Sequence, residues 1–351
     1  KFVPIPTKWS LPRRGRMDAE GRPVLIPDQA EPEVFHTPSV VHIIPGAAFV
    51  GSMAEALLEQ DPQIQVLRFF KRLMGQLTPV CYDDNGATWY PEGVTALVLK
   101  KLAFDAETIS HAPLEDVVIT VPAHFTDPQR RSVLAAATLA DLNVIGLVEE
   151  PVAAALHYGV VTGLQDQIML VYDFGGGTFD ATVMSMDARG VYVLAKTGLT
   201  ELGGKELDEK VGEMILNQFQ RAMGQPLPMG ARTLLELRRV SEEIKIELCN
   251  PGKNRLRRMA MLGGHAVEVE IARKDFEAAI KEYLDRAEAE MMVCIREAGL
   301  RFEDIGSCLL VGGSSLVPAV EERLKALFCR PARHRHDPPA AKGGKERTGL
   351  P

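Results

Sequence analysis

From Tyr90 to His111 the apolar residues of YPEGVTALVLKKLAFDAETISH recur at helical spacing, and Pro91 stands near the first turn, which predicts an amphipathic helix. DVVITVP, Asp116 to Pro122, is a short β-branched run and predicts a buried strand. Thr126 then precedes DPQRRSVLAAATLADL, which predicts an N-cap, an acidic first turn and a helix. NVIGLVEE predicts another strand, and PVAAALHYGVV a helix that starts at Pro151. Strand, helix, strand, helix at these lengths argues for an α/β layered unit.

A second block starts near Gln165. QIMLVYD predicts a strand, and FDATVMSMDARGVYVLAKTGL a hairpin turning around Asp187–Gly190. KELDEKVGEMILNQFQRAM, ARTLLELRRVSEEIKIEL and RKDFEAAIKEYLDRAEAEMMVCIREAG predict three amphipathic helices. SCLLV follows as a strand, GGSSLVP as a loop and AVEERLKALF as a helix. No solenoid-type repeat is present. The pattern predicts two α/β lobes joined near Val160–Gln165, in keeping with a 351-residue chain that exceeds one compact core.

Composition narrows the function classes. The chain is 46% hydrophobic and 25% charged, an ordinary globular balance. A formal net charge of −7 argues against a generic nucleic-acid binder. No run approaches the roughly eighteen apolar residues of a membrane span, and KFVPIPTKWSLPRRGRM lacks the apolar core of a signal peptide. Cys81, Cys249, Cys294, Cys308 and Cys329 show no CxxC spacing, which favours reduced thiols and a cytoplasmic location over disulfides or zinc. Both ends are basic: Lys1, Lys8, Arg13, Arg14 and Arg16 precede the first acidic residue, Asp18, and six basic residues fall between Arg330 and Pro351. Each end reads as an irregular, solvated segment.

The candidate chemistry centres on VYDFGGGTFD, Val171 to Asp180. The glycines lead from strand to strand, and no GxxxxGK[ST] is present, so this is neither a Walker loop nor a Rossmann turn. Gly175, Gly176 and Gly177 would let several backbone N–H groups converge on one anion, with the Thr178 hydroxyl beside them. Asp173 would repel phosphate directly, and its natural role is to hold a hydrated Mg²⁺. A floppy hairpin loop is the plain alternative. VGGSSLVP, Val311 to Pro318, is a second glycine loop, ending a strand and opening a helix, a pattern equally common for packing reasons. Glu150 either caps the helix that follows it or holds metal-bound water. Glu242 and Lys245 stand three apart on one helix, where a surface ion pair is the default. Lys71 in FFKRLMG, taken by itself, is an ordinary solvated lysine.

Together these strings resemble the ATPase domain of the seventy-kilodalton heat-shock chaperones, the DnaK-like family. The resemblance runs from Met17 through HTPSVV, FKRLMG, VVITVPAHFTDPQRRSVLAAATLADLNVIGLVEEPVAAALHYG, LVYDFGGGTFD, ELGGKELDEKV and VGGSSLVP to Phe328. It implies an α/β actin-like ATPase fold, with a first lobe over residues 1–162, a second over 163–329 and a basic tail over 330–351. ATP or ADP would lie between the lobes with Mg²⁺, and with K⁺ as a further cation. By matched position, Lys71 would lie at the γ-phosphate and assist attack of water, and Glu150 and Asp173 would hold the hydrated magnesium. Thr178 would contact the γ-phosphate. Gly175, Gly176 and Gly177 would cradle phosphates with Gly204 nearby. Glu242 and Lys245 would flank ribose and adenine, and Gly312, Gly313, Ser314 and Leu316 would line the base pocket. The implied partners are the nucleotide, a J-domain co-chaperone and a nucleotide-exchange factor, on a monomer; neither nucleic acid nor membrane is implied.

Departures from the family pattern lie mainly at the ends. Where members carry a strand and loop of the type GIDLGTTNS, this chain has FVPIPTKWS, Phe2 to Ser10. Proline donates no N–H, so neither the phosphate nest nor the strand pairing is expected there. From Asp337 the sequence DPPAAKGGKERTGLP replaces the usual returning helix. Leu316 stands for a base-stacking Arg, and Ile246 and Cys249 for an Arg and a Ser of the adenosine helix, which predicts weakened nucleotide affinity. A titration giving family-like affinity would refute that. Loss of pattern at both ends suggests a frame-shifted or truncated chaperone fragment, resolved by resequencing the locus, and no peptide-binding domain is expected. The alternative to an active ATPase is therefore a catalytically impaired nucleotide-binding or protein-interaction module. A sugar or acetate kinase on the same fold has no acceptor-substrate pocket to point to.

Overall fold

The computed structural model describes residues 2–4, 14–17, 23–29, 33–162, 166–187 and 189–328. The tail over 330–351 and most of Phe2–Ser10 lie outside the described residues, as do residues 163–165 of the expected join.

The C-terminal half is built on a five-stranded sheet in the order Phe2–Pro4, Ser307–Val311, Gln167–Phe174, Phe179–Asp187, Gly190–Leu199. The last three form the antiparallel meander that the sequence predicts, and Ser307–Val311 runs parallel to Gln167–Phe174. Strand periodicity sends alternate side chains to opposite faces, and both faces are dry. Leu170, Tyr172, Phe174, Phe179, Ala181 and Val183 join a large core with the helices Gly204–Met223, Ala231–Cys249, Lys281–Glu297 and Pro318–Phe328. Met169, Val171, Met184, Leu309 and Val311 face the other way and meet Ala154, Ala155 and Tyr158 of the helix Glu150–Thr162. Tyr172 and Phe179 meet edge to face with ring centroids 4.7 Å apart, a contact of about 1 kcal/mol beyond the area it buries.

One expectation is corrected here. Phe2–Pro4 does pair, parallel to Cys308–Leu310, but on the outer edge of the C-terminal sheet. An edge position asks for hydrogen bonds on one side only, so a proline is tolerated at the strand's end. The predicted helix over RKDFEAAIKEYLDRAEAEMMVCIREAG is also two, Arg273–Ala279 and Lys281–Glu297, separated at Ile280.

The N-terminal half has smaller cores. Strands Asp116–Val121 and Asn143–Glu149 pair in parallel, and among the described residues they form a sheet of two. The helix between them, Asp127–Leu139, opens with a capping box in which Gln129 accepts the Thr126 N–H at 2.9 Å. Its small residues Ala136 and Ala140 pack with Ala96 of the helix Pro91–Ser110. A separate cluster of Val41, Val50, Leu67, Phe70, Val94 and Val98 seats the 3₁₀ turn Phe70–Leu73, which carries Lys71.

Candidate functional site

Three glycine turns of the C-terminal half pack closely against one another, largely backbone to backbone. The hairpin closes when Gly175 donates its N–H to the Thr178 carbonyl at 3.0 Å. Gly204 and Lys205 then donate to the carbonyls of Gly175 and Gly176, each at 3.0 Å. A Cβ at Gly203 would stand 2.5 Å from the Gly177 nitrogen, so this approach needs glycine. Gly312 has φ +86°, and a Cβ there would meet the Phe174 carbonyl at 2.3 Å and the Asp173 carboxylate at 2.7 Å. Ser314 locks the third turn to the first by donating to the Gly175 carbonyl at 2.8 Å. Part of the reason for the glycines is thus the fold itself. At Gly176 an added Cβ would meet nothing within 4 Å, so that face of the hairpin stays open to a ligand.

Charged side chains gather beside this open face. Lys71 donates to Glu150 at 2.7 Å, and both act electrostatically on Asp173 at the end of the central strand. Burial, then the charges of Glu150 and Asp180, push the Asp173 carboxyl up to about 8, with Lys71 opposing. For Lys71, burial works against the charge, but Glu150, Asp173 and Asp180 outweigh it and hold the amine above its ordinary value. Glu150 therefore does more than open its helix. Among the described residues, no group of three His, Cys, Asp or Glu side chains is arranged to hold a metal directly. Three hard carboxylates that repel one another fit a hydrated divalent cation held through water.

Other pairs cross between the two halves. His124, just after the strand Asp116–Val121, meets Asp180 at 2.5 Å. Arg72 makes a two-pronged bond to Glu206 at 3.0 and 3.1 Å. Glu149 gathers Arg130 at 2.7 Å and Lys196 at 2.6 Å. The surface pair expected between Glu242 and Lys245 is not the one formed: Lys245 binds Asp208 at 2.7 Å, a carboxylate that burial pushes up to about 6. Lys245 Nζ also lies 3.4 Å from the Gly204 carbonyl, which joins that helix to the glycine turns. Leu316 and Ile246 are 48% and 55% exposed, so both offer apolar surface to a ligand rather than to the core.

The model of the Hsp70 protein family matches residues 78–341, more than half of the 351-residue chain. The chain belongs to the Hsp70 family. The actin-like ATPase fold, two α/β lobes around a nucleotide cleft, comes with that membership, as does nucleotide binding in a chaperone. Within this Hsp70 frame the hairpin glycines, Gly204, Gly312, Gly313, Ser314 and Lys245 form one cluster, and Lys71, Glu150 and Asp173 a second beside it. Lys71 precedes the matched residues but faces those within them. Asp180, His124, Arg72, Glu206 and Asp208 were missing from the residues picked out by motif. Asp180 was readable as the hairpin's second aspartate, whereas Glu206, which accepts the Gly203 N–H at 2.8 Å, follows a glycine that has no side chain to form the capping-box signature. Arg72 had only its position beside Lys71 to mark it.

Proposed function

We propose that this chain is the Mg²⁺-dependent ATPase domain of a DnaK-like chaperone, hydrolysing ATP to ADP and phosphate between lobes spanning 1–162 and 163–329. The observation that carries this is the electrostatic cluster of Lys71, Glu150 and Asp173, the last of which stands at the end of the strand that leads into the glycine hairpin. Gly175, Gly176, Gly177 and Gly204 leave backbone room for the phosphates, and Thr178 offers its hydroxyl to the terminal one. Lys71 stabilises the charge that builds on the transferring phosphoryl group and orients water. Glu150 and Asp173 would hold a hydrated Mg²⁺, which would supply charge neutralisation at the phosphates. Glu242 and Lys245 flank the nucleoside, and Gly312, Gly313, Ser314 and Leu316 line the base pocket. K⁺ is a further cation of this reading, and a J-domain protein and an exchange factor its partners, on a cytoplasmic monomer.

One observation favours a second reading, a module that binds nucleotide without turnover. Phe2–Pro4 pairs with the C-terminal sheet, and FVPIPTKWS has no glycine and two prolines where members of the family carry a glycine-containing phosphate loop. Equilibrium ATP binding run beside single-turnover hydrolysis with Mg²⁺ separates the two. Binding with turnover is expected; binding without it selects the second reading, and no binding rejects both.

A further inference from the structure

One side chain of the N-terminal half lies over the hairpin at Gly177. An added Cβ at Gly177 would lie 3.3 Å from Arg72 Nε and 3.7 Å from Nη2, so the guanidinium rests directly on this glycine. Its two terminal nitrogens are held by Glu206, and the pair is largely buried, with 15% and 12% of the side chains exposed. Arg72 Nε, also buried, has no acceptor among the described residues. A buried N–H without an acceptor is unfavourable and is satisfied by an incoming oxygen. The surroundings are cationic: Arg72, Lys205 and Arg238 stand 5.5, 5.5 and 4.9 Å from the centre of the Phe69 ring. Arg238 shows the crowding, since burial and the neighbouring Arg68 depress its pKa. Meanwhile FVPIPTKWS contains no glycine with which to build a backbone phosphate nest.

We propose that Arg72 is a phosphate ligand of this cleft, resting on Glu206 when no polyphosphate is bound and turning its planar fork onto phosphate oxygens above Gly177 when one enters. A guanidinium binds carboxylate and phosphate in the same two-pronged geometry, so the exchange conserves hydrogen bonds while Nε gains an acceptor. Glu206 keeps a partner after the exchange, because it also accepts the Gly203 N–H at 2.8 Å. The ligand class is a chain of phosphates, and the adenosine part of a nucleotide is not involved. This inference deepens the ATPase reading and rests on the same cleft.

The test is calorimetric titration of Mg-ATP, adenosine and tripolyphosphate into wild type, Arg72→Gln and Glu206→Gln, each checked for fold by circular dichroism. Arg72→Gln is expected to weaken Mg-ATP and tripolyphosphate by about tenfold or more, with adenosine within about twofold. Glu206→Gln removes the competing anion but keeps a carbonyl for Gly203, so it is expected to tighten Mg-ATP. A merely structural Arg72–Glu206 pair predicts the opposite sign for that variant. Unchanged Mg-ATP affinity in Arg72→Gln, or loss of affinity in Glu206→Gln, overturns the proposal. If Arg72→Gln does not fold, the sign in Glu206→Gln decides. Wild type that binds neither Mg-ATP nor adenosine defeats the nucleotide reading separately. Tripolyphosphate then decides for Arg72: binding that depends on it supports the ligand role, and absence of binding overturns it.

Discussion

The two halves meet the same cleft with different materials. The C-terminal half presents backbone: three glycine turns pressed together and fixed to a sheet buried on both faces. The N-terminal half presents charged side chains: Lys71, Arg72, His124 and Glu150, carried on a 3₁₀ turn and around a two-stranded sheet. That small sheet is poorly covered, with Val118 and Ile145 55% and 64% exposed. Parallel strands are ordinarily covered on both sides. Among the described residues this sheet has two strands, and the elements around it hold long side chains over a rigid neighbour. The difference teaches that the C-terminal half sets the shape of the site and supplies the acids Asp173, Asp180 and Glu206. The N-terminal half brings the cations Lys71 and Arg72 and the acid Glu150 to meet them.

Stability measurements break or sharpen this contrast, with the largest effect expected in the core. Leu170 is fully buried, so Leu170→Ala is expected to cost about 3–4 kcal/mol in urea unfolding. Ile145→Ala, on the exposed strand, is expected to cost under about 1 kcal/mol. Equal costs would mean that the two sheets are covered alike. The glycines give the next contrast. Gly203→Ala forces a Cβ into the hairpin backbone and is expected to lose about 2–3 kcal/mol, read as a lowered Tm. At Gly146, where an added Cβ meets nothing within 4 Å, Ala is expected to be neutral or slightly stabilising.

The last contrast is in the pH dependence of the nucleotide-free protein. Asp173 is raised from 3.8 to about 8, so between those values the folded chain keeps a proton that the unfolded chain has lost. Stability from this group therefore falls as pH rises from about 4 to about 8 and is flat beyond. Asp173→Asn is expected to remove that slope and leave the protein more stable than wild type at pH 8. An identical slope in the two proteins would place the carboxylate outside the charged cluster.

Much of this was legible in the sequence, for identifiable reasons. Strands such as Gln167–Phe174 are continuous apolar runs because both faces are covered, and the Thr126 cap carried its signal in adjacent residues. The turn glycines announced a close approach of backbone. What the approach was to could not be read, since Gly203 lies 26 residues from Gly177 along the chain. The hairpin of Arg255–Leu262 and His265–Ala272 was hidden among arginines and glutamates that alternate with its buried Leu256, Ala260 and Leu262. Choice of ion partner was the least legible. Lys245 had Glu242 one turn away but took Asp208 from another helix, because tertiary packing decides which carboxylate is buried beside it. Phe2–Pro4 shows the limit of a residue-type rule: proline excluded a central strand, and the chain used an edge.

The central claim is that the N-terminal half acts on bound nucleotide through charged side chains, and Lys71 is its sharpest instance. The most direct test is single-turnover hydrolysis of Mg-ATP by Lys71→Ala, with ATP affinity measured on the same preparation. The expected result is a hydrolysis rate lowered by about a hundredfold or more, with affinity changed by less than about tenfold. Hydrolysis by Lys71→Ala at the wild-type rate would contradict the account.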